Sequence, residues 1–279
     1  MAKSVDHLQV IEESPAYWRV VFDNPPLNIM GATMFRGLQT LLARMDASED
    51  LRVVVFESAN PDFYLAHFDL SDIAGSLGLM KTAGATGLPT LMDTFVRLTK
   101  SPVISIAKIR GRARGVGSEF TLACDMRFAS RENTALAQVE VGSGVLPGGG
   151  GTERLPALVG RGRALEIIIG SEDFDGETAE RYGYVNRAVA DSQLDAFVDK
   201  FARRIATFDR RPIAAAKNLV NEASLPPMDQ MFDGQNSFLT AVMWPETQRR
   251  FQTLFDRGLN SPGEMELRYS ELLTTFMEK

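Results

Sequence analysis

The sequence predicts an α/β fold in which strand–strand–helix units are followed by a helical carboxyl-terminal region. Short β-branched runs at residues 52–57 and 102–107 indicate buried strands. Apolar residues at helical spacing over residues 32–45 indicate an amphipathic helix. Beyond Ser192 the sequence is helical almost throughout, with prolines as breaks. We therefore expect a core over residues 1–198 and a helical region over residues 199–279.

The other elements follow from local patterns. Residues 7–13 and 16–22 predict two strands joined through Ser14-Pro15. Residues 61–70 are an aromatic-rich loop, and residues 71–87 are glycine-rich and irregular, which favours a mobile flap. The remaining predictions are a helix at 88–99, strands at 126–129, 135–138 and 184–189, helices at 162–170 and 177–182, and a helix capped by Thr152.

Composition excludes several classes of function. The 279 residues carry a formal net charge of −6 with scattered basic residues, which argues against nucleic-acid binding. One cysteine, Cys124, cannot form an internal disulfide, and two histidines leave little scope for a metal site. We find no signal-peptide pattern and no apolar run long enough for a membrane span. These features predict a cytoplasmic protein without a metal.

The central run of residues 111–125 is the most informative stretch. It passes from a predicted strand through Gly111, Gly115 and Gly117 into a predicted buried helix. Such a turn directs unpaired backbone N–H groups at an anion or a developing oxyanion. Glu119 follows on the first helical turn, where an acid is either a helix-start residue or a functional group. The nearby arginines 110, 112 and 114 either meet an anionic cofactor or are solvated loop residues.

Four ordered motifs resemble those of the crotonase (enoyl-CoA hydratase/isomerase) superfamily. They are residues 64–70 (Tyr-Leu-Ala-His-Phe-Asp-Leu), the central run, residues 138–155 with their Pro-Gly-Gly-Gly-Gly-Thr-Glu-Arg-Leu ending, and residues 179–185. The resemblance implies a crotonase-like spiral of ββα units. It also implies that the carboxyl-terminal helices mediate homotrimers, or hexamers built from trimers, and that the ligand is an acyl-CoA thioester. No cofactor is implied beyond the coenzyme A carried by the substrate.

The resemblance also assigns roles to residues. The oxyanion donors fall on the backbone N–H groups of Phe68 and Val116, and the two catalytic acids fall on Glu119 and Glu140. Segments that contact the substrate or its coenzyme A portion fall on Leu27, Asn28, Ala66, His67, Leu70 and Gly148.

Retention of both acids favours hydration of a 2-enoyl-CoA. Addition of water requires one proton to leave the water and another to reach the α-carbon, and two carboxyl groups on one water can perform both steps. We expect Glu119 to activate the water and Glu140 to protonate the α-carbon. Two alternatives remain, namely another crotonase-type reaction (enoyl-CoA isomerisation or acyl-CoA hydrolysis) and a non-catalytic acyl-CoA-binding subunit.

The sequence departs from the family pattern at a few positions. His67 stands where the family has glycine, so its imidazole either enters the acyl site or points away from it. Val116 replaces a glycine and Val139 a proline, and one additional residue separates Asp125 from Glu140. A β-branched Val116 predicts a reshaped acyl pocket.

Overall fold

The computed structural model describes residues 3–276, and within this range nine strands form one sheet. The strands are β1 (Lys3–Val5), β2 (Leu8–Ser14), β3 (Tyr17–Phe22), β4 (Val53–Ser58), β5 (Phe63–Leu65), β6 (Ile104–Arg114), β7 (Met126–Ala137), β8 (Phe174–Asp175) and β9 (Arg187–Val189). Their order in the sheet is β1-β2-β3-β4-β6-β7-β8, with β5 paired to β6 and β9 paired to β7.

Helices follow the strands and then continue alone to the end of the described chain. They are α1 (Ala32–Ala47), α2 (Ile73–Lys81), α3 (Thr90–Lys100), α4 (Val116–Ala123), α5 (Gly151–Val159), α6 (Arg161–Gly170), α7 (Gly176–Tyr182), α8 (Asp191–Ala206), α9 (Arg210–Ser224), α10 (Met228–Val242), α11 (Pro245–Asp256), α12 (Glu264–Leu267) and α13 (Tyr269–Leu272), followed by a 3₁₀ turn at Leu273–Phe276. The carboxyl-terminal region is therefore helical, as predicted.

Both faces of the central sheet are covered, which explains the continuous apolar run in β4. Val54 and Phe56 belong to the large core cluster that also contains residues of α1, α3 and α4. Val53 and Val55 point to the other face and pack with residues of α8. Because β3, β4, β6 and β7 pair in parallel, the connecting helices must cross over the sheet. The predicted α/β architecture of repeated strand and helix units is confirmed.

The boundary predicted between residues 198 and 199 falls inside α8. Val198, Ala202 and Ile205 lie on one face of this helix and share a core cluster with the sheet. The helix therefore packs as one continuous unit across that position.

The prediction that arginines 110, 112 and 114 lie in a loop was wrong, because β6 continues through all three. Arg110 pairs with Asp191 and Asp195. Arg112 donates to the Leu267 carbonyl at 2.9 Å. Arg114 is 1% exposed and pairs with Asp173. Each of the three guanidinium groups therefore has a partner within the chain.

Several predicted boundaries also need correction. Residues 73–81, predicted as irregular, form α2, whose amino terminus is capped by the Asp72 side chain on the Gly75 N–H. The strands predicted at 126–129 and 135–138 are one strand, β7. Thr152 lies inside α5, whose N-cap is Gly150. Glycine could take the cap position because its φ of 105° suits a residue without a Cβ.

None of the helices in the described part of the chain combines the length and apolar character that crossing a bilayer requires. Among residues 3–276 no group of three or more His, Cys, Asp or Glu side chains is arranged to hold a metal ion.

A buried ion pair fastens α9 to the sheet. Lys217 Nζ donates to Asp125 Oδ2 at 2.7 Å and to the Val103 carbonyl at 2.8 Å. The same Asp125 oxygen accepts the Ser105 backbone N–H at 2.7 Å. Burial raises the pKa of Asp125 and lowers the pKa of Lys217, so each charge depends on its partner.

Replacing Lys217 by methionine should lower the free energy of unfolding by about 3–5 kcal/mol, because the Asp125 carboxylate is left buried without a counter-charge. Urea denaturation of the variant measures the loss. Lys200→Met, at an exposed lysine of α8, is the matched control and should change stability by less than about 0.5 kcal/mol. Equal stability of the two variants would show that the ion pair does not fasten α9.

Candidate active site

Three strands direct their following residues to one end of the sheet. Leu65 of β5 is paired with Ala113 of β6, and Arg114 of β6 is paired with Ala137 of β7, in both cases in parallel. The chain therefore leaves all three strands at the same edge of the sheet. Segment 66–70, the start of α4 and the loop after β7 meet there, as ligand-binding loops do in parallel sheets.

The turn between β6 and α4 brings Glu119 to this edge. Gly115 has a φ of 53°, which turns the chain directly from strand into helix. Its backbone N–H donates to the Ala137 carbonyl at 3.0 Å, so the turn is fastened to β7. Glu119 lies on the first turn of α4 and is 2% exposed.

One oxygen of the Glu119 carboxylate is held by a glycine loop. Oε1 accepts the backbone N–H of Gly149 at 2.7 Å and that of Gly151 at 2.9 Å. A Cβ on residue 149 would lie 2.5 Å from Glu119 Oε2, so the loop can approach only because residue 149 is glycine. Among the described residues no hydrogen-bond donor reaches Oε2, and the Glu119 side chain lines a cavity of about 70 Å³.

Glu140 lines the same cavity, but its carboxyl group is not held by a pair of backbone N–H donors as that of Glu119 is. It follows β7 by three residues and is 8% exposed. Its Oε2 is buried and has no hydrogen-bond partner within residues 3–276. A Cβ on Gly115 would lie 3.1 Å from its Oε1, so the carboxyl group sits directly beside the turn that begins α4.

The two carboxyl groups have raised pKa values for related reasons. Burial raises the pKa of Glu119 to about 7, although the hydrogen bonds from Gly151 and Gly149 oppose the rise. Burial, and then the charge of Glu119, raise the pKa of Glu140 well above its ordinary range. The first proton to leave the pair therefore comes from the carboxyl group that backbone donors stabilise as an anion, which is Glu119.

Two backbone N–H groups at the cavity wall are free to bind an oxygen. Phe68 and Val116 both line the cavity, and no described residue accepts a hydrogen bond from the backbone N–H of either. The peptide group before Phe68 is held in place because the His67 carbonyl accepts the Met30 N–H at 2.9 Å. The Val116 N–H is in the first turn of α4, where the helix has no internal acceptor for it.

The structure brings most of the predicted site residues together. Seven of them line the cavity: His67, Phe68, Leu70, Val116, Glu119, Glu140 and Gly148. Leu27 and Ala66 instead pack with Phe63 in a small separate cluster. Asn28 is buried, and its side chain donates to Ser58 Oγ at 2.7 Å and accepts the Asn24 N–H at 2.7 Å. Contact of these last three residues with coenzyme A remains a prediction.

His67 lines the cavity, but both of its ring nitrogens are already engaged. Nδ1 lies 2.8 Å from the Phe68 carbonyl oxygen and Nε2 lies 2.9 Å from Glu266 Oε1. Since a carbonyl and a carboxylate can only accept, the ring donates from both nitrogens and is an imidazolium. Burial alone would lower the pKa of His67, but the Glu266 carboxylate outweighs it and raises the pKa. Both ring nitrogens are therefore bound by the protein, and the contact with Glu266 joins segment 66–70 to the carboxyl-terminal helices.

Residues of the carboxyl-terminal helices complete the cavity, and the sequence did not indicate them. They are Gln235, Phe238, Phe251 and Tyr269. Tyr269 Oη lies 2.8 Å from Ser143 Oγ in the loop after Glu140. One usable signal was present: Gln235 shares a helical face with the buried residues Met231 and Phe238, and a glutamine there is unusual.

Comparison with known proteins agrees with this geometry. The model of the enoyl-CoA hydratase/isomerase family matches residues 12–252. The short-chain-enoyl-CoA hydratase of Clostridium acetobutylicum is 28% identical over 251 residues, which covers 88% of this chain and 94% of the relative. The crotonyl-CoA hydratase of Syntrophomonas wolfei is 26% identical over 248 residues, with the same coverages of 88% and 94%.

Solved structures give the same result. A crystal structure from Streptomyces avermitilis, provisionally assigned as an enoyl-CoA hydratase, is 40% identical to this chain. It superposes with a TM-score of 0.94 and covers 98% of both chains. With the fold, the paired glutamates and a family match over residues 12–252 in agreement, the chain belongs to the enoyl-CoA hydratase/isomerase family of the crotonase superfamily.

Proposed function

We propose that the protein adds water to the double bond of a 2-enoyl-CoA thioester. The observation that carries this proposal is the pair of buried carboxyl groups, Glu119 and Glu140, on one cavity with unlike hydrogen-bonding environments. The family match and the names of the hydratase relatives support it. No cofactor beyond the substrate's own coenzyme A enters the proposed reaction.

The thioester oxygen would be bound by the backbone N–H groups of Phe68 and Val116. Negative charge develops on this oxygen when water attacks the β-carbon, because the double bond shifts to form an enolate. Fixed N–H donors at a water-poor cavity stabilise that charge without reorganising. A side chain is not needed for this role, so valine at position 116 is compatible with it.

The two glutamates would divide the proton transfers. Glu119, with one oxygen held by two backbone donors, takes a proton from water through Oε2 while the water oxygen bonds to the β-carbon. Glu140, kept protonated by burial beside Glu119, delivers its proton to the α-carbon of the enolate. The product gains one H₂O, and exchange with solvent returns the two carboxyl groups to their starting protonation states. We assign the base role to Glu119 and the acid role to Glu140 because Glu119 is the first of the two to lose its proton.

We also propose that the protein assembles as a homotrimer or as a hexamer of two trimers. Exposed apolar side chains on the carboxyl-terminal helices and their connections support this, among them Leu219, Val220, Met243 and Trp244. Sedimentation velocity of the purified protein distinguishes a trimer or hexamer from a monomer, and a monomer at micromolar concentration would contradict the proposal.

Glu119→Gln and Glu140→Gln should each lower kcat for hydration by about 10²–10⁴-fold, because each removes one proton-transfer group while keeping the shape of the side chain. Mass spectrometry of product from short, medium, branched and aromatic 2-enoyl-CoAs measures the gain of one water. Glu177→Gln, at an exposed glutamate of α7, is the control and should retain full activity.

The same assay distinguishes the other reactions. Conversion to an isomer of unchanged mass would indicate double-bond isomerisation, and release of free coenzyme A would indicate hydrolysis. Binding of CoA thioesters without any conversion by the wild-type protein would indicate a non-catalytic subunit. Any of these three results in place of water addition contradicts the hydratase proposal.

The pH dependence of kcat/KM should be bell-shaped. Activity requires Glu119 ionised, so the rate should fall as the pH drops below about 7, where Glu119 takes up its proton. Activity also requires Glu140 protonated, so the rate should fall again at higher pH, where this proton is lost. The two apparent pKa values of this profile describe the coupled pair of carboxyl groups and not either residue alone. A rate that stays constant from pH 5 upward would be inconsistent with a base of raised pKa.

A further inference from the structure

Besides the glutamate pair, the cavity wall contains Ser143, Tyr269 and His67, whose polar atoms form hydrogen bonds within the protein. Ser143 Oγ donates to the Val139 carbonyl at 2.7 Å and lies 2.8 Å from Tyr269 Oη. His67 uses both ring nitrogens. Gln235 differs from them, because it is 2% exposed and its Oε1 has no hydrogen-bond partner among the described residues. The proposed reaction uses the free oxygens of Glu119 and Glu140 but gives Gln235 no role.

The placement of α10 directs Gln235 toward the glycine loop that holds Glu119. One turn before it, Met231 lies against Gly150, and about one turn after it, Phe238 lies against Gly148. A Cβ on Gly148 would come within 2.7 Å of the Phe238 ring, so helix and loop are in close contact. Gln235 sits between these two contacts and lines the same cavity as Gly148 and Gly149.

Apolar side chains make up much of the remaining wall. Leu91, Val145, Phe238 and Phe251 all contribute hydrocarbon surface to the cavity. The Gln235 carbonyl already lacks a donor in the described part of the protein, and an unbranched hydrocarbon chain bound there would supply none, so its unfavourable burial would persist. A hydroxyl group on the chain would donate to Oε1 and remove that cost. Sites that present a buried hydrogen-bonding group discriminate strongly against ligands lacking the complementary group.

We propose that Gln235 selects acyl-CoA thioesters whose acyl chain carries a hydroxyl group, which donates a hydrogen bond to the unpartnered side-chain carbonyl. This inference rests on the proposed function, since it takes the cavity to be the acyl site of a 2-enoyl-CoA hydratase. It names the substrate class as hydroxylated enoyl-CoAs and assigns to α10 a residue that determines specificity.

Binding of unreactive ligands tests the proposal apart from turnover. We would measure by calorimetry the dissociation constants of hexanoyl-CoA, its 4-, 5- and 6-hydroxy derivatives and 5-oxohexanoyl-CoA. At least one hydroxy derivative should bind about 10–100-fold more tightly than hexanoyl-CoA. The oxo compound cannot donate to Oε1 and can only accept from the Gln235 amide nitrogen, so a gain for the oxo compound equal to that of the hydroxy derivatives would contradict recognition through the carbonyl. The series locates the hydroxyl along the chain.

Gln235→Met keeps the length of the side chain and removes the amide, so the preference for the hydroxy derivative should vanish in this variant. Its Tm should equal or exceed that of the wild type, because a buried unpaired group is removed. Gln230→Met, at an exposed glutamine of the same helix, is the matched control and should retain the preference. Equal affinities for all acyl chains in the wild type, or a preference that survives Gln235→Met, would overturn the proposal.

Hydration assays with the corresponding 2-enoyl-CoAs separate the two proposals. Hydration of plain and hydroxylated substrates at equal kcat/KM would contradict the role of Gln235 and leave the hydratase function standing. A hydroxyl preference in binding that is lost in Gln235→Met, with no water added to any substrate, would support the role of Gln235 and contradict the hydratase function.

Discussion

The site depends on the two hydrogen bonds by which the Gly149 and Gly151 amides hold one oxygen of Glu119. They orient a buried carboxylate and leave its second oxygen at the cavity. They also make Glu119 the better anion of the pair, because Glu140 has an oxygen without any described partner. The run of glycines before α5 is therefore a requirement of this contact, since a side chain at residue 149 would occupy the place of the carboxylate.

The carboxyl-terminal helices are part of the site as well as a continuation of the fold. The buried His67–Glu266 pair and the hydrogen bond from Arg114 to the Glu266 carbonyl fasten α12 to β6 and to segment 66–70. The helices α10 and α11 then supply Gln235, Phe238 and Phe251 to the cavity wall. Since strands and helices each contribute part of the wall, loss of the carboxyl-terminal helices would open the site to water and weaken its electrostatic interactions.

The sequence predicted the fold from local patterns, and it predicted the glutamate pair through short motifs that resemble those of the crotonase superfamily. Strand and helix periodicity, the glycine turn before Glu119 and the motif around Glu140 are each contained in a few residues. The contacts of the His67 side chain could not be predicted from local sequence, since its partner Glu266 is 199 residues away. The arginines of β6 were misassigned for the same reason, because alternating charged residues resemble a loop until the distant acids that pair with them are known. The helix α2 was not predicted because its glycines are typical of irregular structure, and its start depends on the Asp72 side chain as N-cap.

The most direct test of the unequal glutamate pair is an infrared measurement of the carboxyl groups in the purified protein. We expect a band from a protonated, buried carboxylic acid at about pH 8.5, where Glu119, whose pKa is about 7, is mostly ionised. The band should be absent from Glu140→Gln and retained in Glu119→Gln, because burial alone already favours the neutral form of Glu140. Absence of such a band from the wild type, or its loss only in Glu119→Gln, would contradict the division of roles between an ionised Glu119 and a protonated Glu140.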